Sequence, residues 1–379
     1  MKYRKFGKFD EEVSILGFGC MRLPQKDGHI DEEEATKIIR YAIDNGVNYI
    51  DTAYPYHNGE SEPFVSKVLK DGYRDKIKLA TKLPTWLITS REDMDKYFNE
   101  QLERLDTDYI DFYLVHNLNR DTYKNAKDNG LFEFLNTIKD KKLARYIGFS
   151  FHDSIEVYKG IIDDYDWDFT QIQYNYIDEN HQAGTEGLLY AAKKNLGIVI
   201  MEPLRGGALV NNISENIRNI IKNSKVEKSE VEWAFKFLYD KNEISVVLSG
   251  MSNMEQVVDN LRIADKEGVG NSMTEDERKT INKLRDEFES KIKVNCTGCK
   301  YCVPCPKGVD IPTCFELLNN ASMFDSVDKL RITHYPNLVN SERDASLCVE
   351  CGLCETNCPQ HIEIRNRLKE VHDTFKSNL

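Results

Sequence analysis

Apolar positions along this chain follow two alternating patterns between residues 13 and about 265. Short, nearly continuous apolar runs recur as VSILGFG, GVNYID, IKLATK, YIDFYLVH, ARYIGFS, DFTQIQYN, GIVIMEP and ISVVLSG. They are rich in Ile, Val, Tyr and Phe and read as eight strands. Between them lie stretches with apolar residues at helical spacing, among them REDMDKYFNEQLERL, GLFEFLNTIKDKK and KSEVEWAFKFLYD. In DEEEATKIIRYAIDNG, Asp31 is placed to cap a helix, Glu34 follows three residues on, and Gly46 supplies a stop. Strands apolar on both faces, alternating with helices, predict a parallel sheet. Eight such units in this length predict a closed (β/α)₈ TIM barrel. A doubly wound open sheet would carry a glycine-rich dinucleotide fingerprint after its first strand. LGFGCMRLP has two glycines and no helical pattern directly after it, which favours the barrel. The charged amphipathic stretch 273–292, MTEDERKTINKLRDEFESKI, reads as a helix that closes the barrel domain. Beyond it the composition turns to Cys, Pro and Gly. The expected α/β organisation is a barrel over residues 1–290 and a small, mainly helical domain over 291–379.

Composition narrows the function classes. A net charge of −12 argues against non-specific nucleic-acid binding, which needs a basic surface. No apolar run approaches the roughly 20 residues that span a bilayer, and the first residues lack an apolar leader core. The expectation is a cytoplasmic protein with no membrane and no nucleic-acid partner. Of ten cysteines, Cys20 stands alone and the other nine lie between 296 and 358. In a reducing compartment such clustering points to metal rather than disulfides.

In a barrel enzyme chemistry gathers at the C-terminal ends of the strands. There the chain places Asp51 with nearby Tyr56, then Lys82, His116, Ser150 with His152, Gln171 and Gln173, and Glu202. A tyrosine hydroxyl, with an ordinary pKa of about 10, is a poor acid near neutrality unless a cation favours its anion. Lys82 can supply that charge, Asp51 can hold Lys82 protonated, and His116 can donate a hydrogen bond to a substrate oxygen. Such a set can protonate a carbonyl oxygen as hydride reaches the carbon. The residues IDTAYPYHNGESE, LATKLP, YLVHNL and VVLSGMSNMEQVVDN resemble, in the same order, the aldo-keto reductase family, over roughly residues 2–265. The resemblance implies a (β/α)₈ barrel, NAD(P)H laid across the rim, and reduction of a small-molecule carbonyl substrate. It implies Tyr56 as proton donor, tuned by Lys82 and Asp51, with His116 orienting the substrate. It also implies cofactor contacts at Ser150, Gln171, Arg205, Gly250, Gln256 and Asn260. Phe151 and His152 follow Ser150 where Asn is common, and Met201 and Glu202 replace an aromatic. Gln256 stands where many NADPH-dependent members carry arginine, so NADH and NADPH both stay open. Trp86, Phe151 and His152 are expected to wall the pocket, with Cys20 and His57 as lining or packing.

The cysteines form two runs. The first is Cys296-x₂-Cys299-x₂-Cys302-x₂-Cys305-Pro306, and the second is Cys348-x₂-Cys351-x₂-Cys354-x₃-Cys358-Pro359. The second matches the bacterial ferredoxin ligand run, and the first is one residue short before its fourth cysteine. Paired zinc sites would need two sets of C-x₂-C pairs; three cysteines at successive x₂ spacing, twice, each run ending in Cys-Pro, fit [4Fe–4S] clusters better. In two-cluster ferredoxins the fourth cysteine ligates the other cluster. One cluster is thus assigned to Cys296, Cys299, Cys302 and Cys358, the other to Cys348, Cys351, Cys354 and Cys305. Cys314 reads as a buried apolar residue. The intervening helical patterns resemble the helical ferredoxin modules of multi-domain oxidoreductases.

The two halves suggest an NAD(P)H-linked carbonyl reductase carrying two [4Fe–4S] clusters for electron transfer. Alternatives are a cluster-fed enzyme coupled to an external ferredoxin or flavoprotein, and a non-catalytic redox-sensing barrel. The complete Asp51–Tyr56–Lys82–His116 set speaks against the last.

Overall fold

The structure, a computed structural model, describes residues 1–211, 213–296, 298 and 300–376. All eight predicted runs are strands: β1 (Leu16–Gly19), β2 (Tyr49–Asp51), β3 (Lys78–Leu83), β4 (Ile110–Leu118), β5 (Ala144–Phe151), β6 (Phe169–Gln173), β7 (Gly197–Met201) and β8 (Val246–Ser249). Each pairs in parallel with its sequence neighbours, and β8 pairs with β1, so the sheet closes. Closure explains the apolar runs, because every strand is buried on both faces.

Helices follow the strands in the order a barrel requires. Helix α1 (Glu32–Asp44) begins where the pattern predicted: the Asp31 side chain accepts a hydrogen bond from the Glu34 amide at 3.2 Å. It ends before Gly46, whose φ of +96° only glycine adopts without strain. The ladder sets Gly19 beside Asp51, Asp51 beside Ala80, Lys82 beside Leu114, and Ser150 beside Gln171. These registers bring the predicted site residues to one rim.

The opposite mouth is plugged by an N-terminal hairpin, Tyr3–Lys5 against Glu12–Ser14. Phe6, in its turn, is fully buried against Phe112, at a ring distance of 4.5 Å, and Phe169, at 5.4 Å. A Cβ at residue 197 would lie 2.4 Å from the Phe6 ring, so only glycine fits there. Phe6→Ala is expected to cost about 3–4 kcal/mol of stability, read as a lower denaturation midpoint; a change below about 1 kcal/mol would show that the plug is dispensable.

The chain divides into two compact units, Met1–Gly206 with Ser229–Thr274, and Gly207–Lys228 with Glu275 onward. Helix α3 (Glu275–Glu289), read from sequence as closing the barrel domain, packs against α2 (Glu215–Lys222), and both fall in the second unit. In that unit α4 (Ile311–Met323) and α5 (Ile364–Phe375) share an apolar core of Ile311, Phe315, Leu318, Leu368, Val371 and Phe375. Among the described residues no helix is long and apolar enough to cross a membrane.

Candidate active site and cysteine cavities

Asp51 ends β2 and Lys82 lies near the end of β3, both buried. Lys82 Nζ lies 2.6 Å from Asp51 Oδ1 and donates to the Thr52 carbonyl at 2.8 Å and to the Tyr56 hydroxyl at 3.4 Å. Gln171 Nε2 donates to the other Asp51 oxygen at 3.2 Å. The carboxylate therefore has a partner on each oxygen, as a buried charge requires. Burial opposes the charge on Lys82, but Asp51 and then Tyr56 outweigh it, so the ammonium is held above its ordinary pKa. For Tyr56, burial pushes the hydroxyl above 10 and Lys82 pulls it down. Burial outweighs the cation here, and the tyrosine stays a protonated acid.

Tyr56 is aimed by local backbone. It follows Pro55 in a 3₁₀ turn, and His57 and Asn58 take left-handed φ values of 51° and 54°. His57 is more than lining. Its Nδ1 lies 2.8 Å from Gln25 Nε2 and its Nε2 3.1 Å from the Cys20 carbonyl. The Leu23 amide also points at Nε2, at 3.3 Å, and burial lowers the His57 pKa, which favours the neutral ring. The loop after β1 is thereby tied to the Tyr56 turn.

His116 sits where β4 departs from regular pairing with β5, between Val115 and Leu118, and Asn117 adopts φ 55°. Such an irregularity re-aims a side chain at a barrel rim. The ring meets Tyr56 edge-on at 6.2 Å and lies 5.3 Å from the half-exposed Trp86. Its Nδ1 is buried without a hydrogen-bond partner, an arrangement that a ligand atom can complete. Burial, then the charge of Lys82, lowers its pKa well below 6.5, so the imidazole is neutral. His152 is lowered too, first by burial. The unfolded chain therefore binds protons at these positions below pH 6.5 while the native chain does not, and stability falls as pH drops through that value. The thermal midpoint is expected to decline from pH 7 to pH 5, less steeply in His116→Asn; an equal slope in both would exclude His116 as a cause.

The other predicted positions divide. Ser150 Oγ accepts from the Asn117 amide at 2.7 Å, which leaves its hydroxyl proton free to donate. Asn260 Nδ2 donates to Ser249 Oγ at 3.0 Å. Gln256 caps its own helix, with its Oε1 accepting from the Ser252 amide at 2.8 Å. Gly250 is exposed at the end of β8. Arg205 is paired with Asp178 at 3.3 Å, and Gln173 donates to the same carboxylate. Phe151, expected in the pocket wall, is fully buried against Tyr158 instead, because its position in β5 faces the helix layer. Sequence reading missed the support beneath Lys82: buried Glu62 accepts from Thr81 Oγ1 at 2.6 Å and Gln101 Nε2 at 2.7 Å, and Gln101 also bonds the Lys82 carbonyl. Glu62 lies within the IDTAYPYHNGESE stretch, whose density of polar residues at a strand end was the available signal.

In the second unit the thiols ring two cavities. Cys302, Cys305, Cys348, Cys351 and Cys354 line one of about 230 Å³. Cys296, Cys302 and Cys358 line the other, with Ile311, Phe315 and Ile364. Cys299 lies outside the described residues. Cys305 thus lies with the cysteines of the second run and Cys358 with Cys296, while Cys302 touches both cavities; soft thiolate donors suit iron–sulfur clusters. Cys314 is buried in the helical core, where burial pushes its thiol up to about 12, and it lines neither cavity. Exposed Tyr301, Val303, Val349 and Leu353 rim the larger one.

A parallel eight-stranded barrel with an Asp–Lys–Tyr–His rim, joined to a cysteine-lined helical unit, defines an oxidoreductase. Comparison with known proteins gives the family. The model described as the aldo/keto reductase family matches residues 15–281, and that of a 4Fe-4S dicluster domain matches residues 295–363. The chain belongs to the aldo/keto reductase family and carries a 4Fe-4S dicluster domain. It is 27% identical to the oxidoreductase YqkF of Bacillus subtilis, over 74% of this chain and 95% of that protein. It is 25% identical to L-galactose dehydrogenase of Arabidopsis thaliana, over 71% and 90%. The holo form of an aldo-keto reductase from Bacillus halodurans superposes with a TM-score of 0.63 at 27% identity, covering 75% of this chain and 96% of that one.

Proposed function

We propose that the barrel reduces an aldehyde or ketone with NAD(P)H, and that the second unit holds two [4Fe–4S] clusters that move electrons. The observation that carries the first part is Lys82 bridging Asp51 and the Tyr56 hydroxyl. Bound nicotinamide would supply hydride to the carbonyl carbon. Tyr56 would give its phenolic proton to the carbonyl oxygen, and the Lys82 ammonium would stabilise the phenolate left behind. His116, kept neutral by burial, would donate a hydrogen bond to the same oxygen and hold the carbonyl toward Tyr56. Ser150 has a free hydroxyl proton on the rim for the carboxamide of the cofactor. Gln171, the other residue assigned there, already donates one N–H to Asp51, so its second N–H and its carbonyl oxygen are left for a ligand.

Cysteine spacing assigns Cys296, Cys299, Cys302 and Cys358 to one cluster and Cys305, Cys348, Cys351 and Cys354 to the other; Cys305 beside the second run and Cys358 beside Cys296 support the crossed fourth ligands. Clusters pass single electrons. The exposed Tyr301, Val303, Val349 and Leu353 beside exposed Cys351 favour a second reading, in which an external ferredoxin or flavoprotein exchanges electrons there. Free thiols fit a reducing cytoplasm. The test is anaerobic addition of NADH or NADPH to the holoprotein, first without and then with a panel of aldehydes and ketones. Carbonyl-dependent nicotinamide oxidation supports the reductase reading. Bleaching of cluster absorbance before carbonyl is added supports exchange between the two centres. Neither response would overturn both.

A further inference from the structure

We infer that Arg22 anchors the diphosphate of the dinucleotide, where the sequence reading had named Arg205 as a cofactor contact. The inference deepens the nicotinamide reading above and rests on it. In barrel enzymes phosphate groups commonly bind at the loops after the seventh and eighth strands. Arg22 follows β1, which lies beside β8, and its side chain reaches across both loops. A Cβ on Gly250, just past β8, would lie 3.2–3.4 Å from the Arg22 aliphatic stem. A Cβ on Gly206, past β7, would lie 3.0 Å from the Arg22 Nη2. Gly206 also has a φ of +64°, where side chains are strained. Both positions are therefore bare, and they leave an open cradle around the guanidinium.

The cation is held without being used. Its carbonyl accepts from Ser252 Oγ at 2.7 Å, and the preceding loop is tied down by His57. Among the described residues the Arg22 guanidinium has no hydrogen-bond or ion-pair partner. Glu202 lies within electrostatic reach, yet the two form no ion pair. Arg205, by contrast, is committed to Asp178, which Gln173 and Asn175 also hold. A planar guanidinium presents paired donors that match phosphate oxygens. Between a paired arginine and a free one on the same rim, the free one is the diphosphate ligand.

The test is calorimetric titration of anaerobic holoprotein, parent and variants, with NADH, NADPH and ADP-ribose, which keeps the diphosphate and lacks the nicotinamide. Arg22→Ala is expected to raise Kd about 10- to 100-fold for all three, with an unchanged circular dichroism spectrum because the residue is exposed. Arg22→Lys, which keeps the charge without the fork, should recover part of the loss. Equal binding by parent and Arg22→Ala would overturn the inference and leave the nicotinamide reading standing. A loss confined to NADPH would overturn it too, since Arg22 would then read the 2′-phosphate. A parent that binds none of the three would overturn both.

Discussion

Tyr56→Phe is expected to lower kcat/KM for carbonyl reduction by about 10³-fold, within the range general acid catalysis contributes. The phenyl ring keeps the edge contact with His116 and the cation contact with Lys82, whose Nζ lies 4.9 Å from the ring centroid. Only the hydroxyl and its proton are lost, so dinucleotide affinity and iron content should match the parent. The loss should fall on kcat, since the proton moves in the transition state. Lys82→Met removes the charge that stabilises the phenolate, and it also strips Asp51 of its partner within a buried site. It should combine an activity loss with a fall in stability, because an unpaired buried carboxylate is costly. Stability separates the two variants: Tyr56→Phe should unfold like the parent and Lys82→Met well before it. Carbonyl reduction that survives in Tyr56→Phe would remove Tyr56 from the chemistry and leave the cluster-fed reading in its place.

Cys354→Ala is expected to reduce iron from about eight to about four atoms per chain, since each cube holds four irons. The remaining cluster would be that of Cys296, Cys299, Cys302 and Cys358. Cys314→Ala serves as the comparison: it deletes a thiol from the core, so it should cost stability and spare the iron. Iron retained in Cys354→Ala but halved in Cys314→Ala would reverse the assignment. Nicotinamide-dependent carbonyl reduction should persist in Cys354→Ala if the barrel works alone, and fall with the iron if electrons must pass through that cluster. Loss of a cluster also removes the cross-links it makes between chain segments, so the second unit should unfold at lower temperature.

Local pattern carried the architecture a long way. A strand buried on both faces must be apolar throughout, and a helix packed outside a barrel must be apolar on one stripe. Eight alternations of those two patterns leave few topologies. The same logic put Asp51, Lys82, His116, Ser150 and Gln171 at strand ends, where a barrel collects its chemistry. Cysteine spacing is also local information: three residues per step suits thiolates that wrap one cube, and the Cys-Pro endings are the local signal for the proposed crossed fourth ligands.

Pairings between distant side chains were a different matter. Gln171 meets Asp51 across 120 positions of chain, a contact that exists only because the barrel closes. Arg205 was named from sequence before Asp178 proved to hold it, and nothing in the sequence singled out Arg22, which two bare glycines frame. Phe151 alternates away from the pocket because the β5 register, which a composition-based reading does not contain, sends it outward. The pairing of α3 with α2 has the same origin: the apolar stripe of α3 shows that it must pack, and not against what. Periodicity and ligand spacing act over a few residues and are written in the sequence. Which charge finds which partner is a long-range outcome of strand register and closure, and that was decided by the tertiary structure.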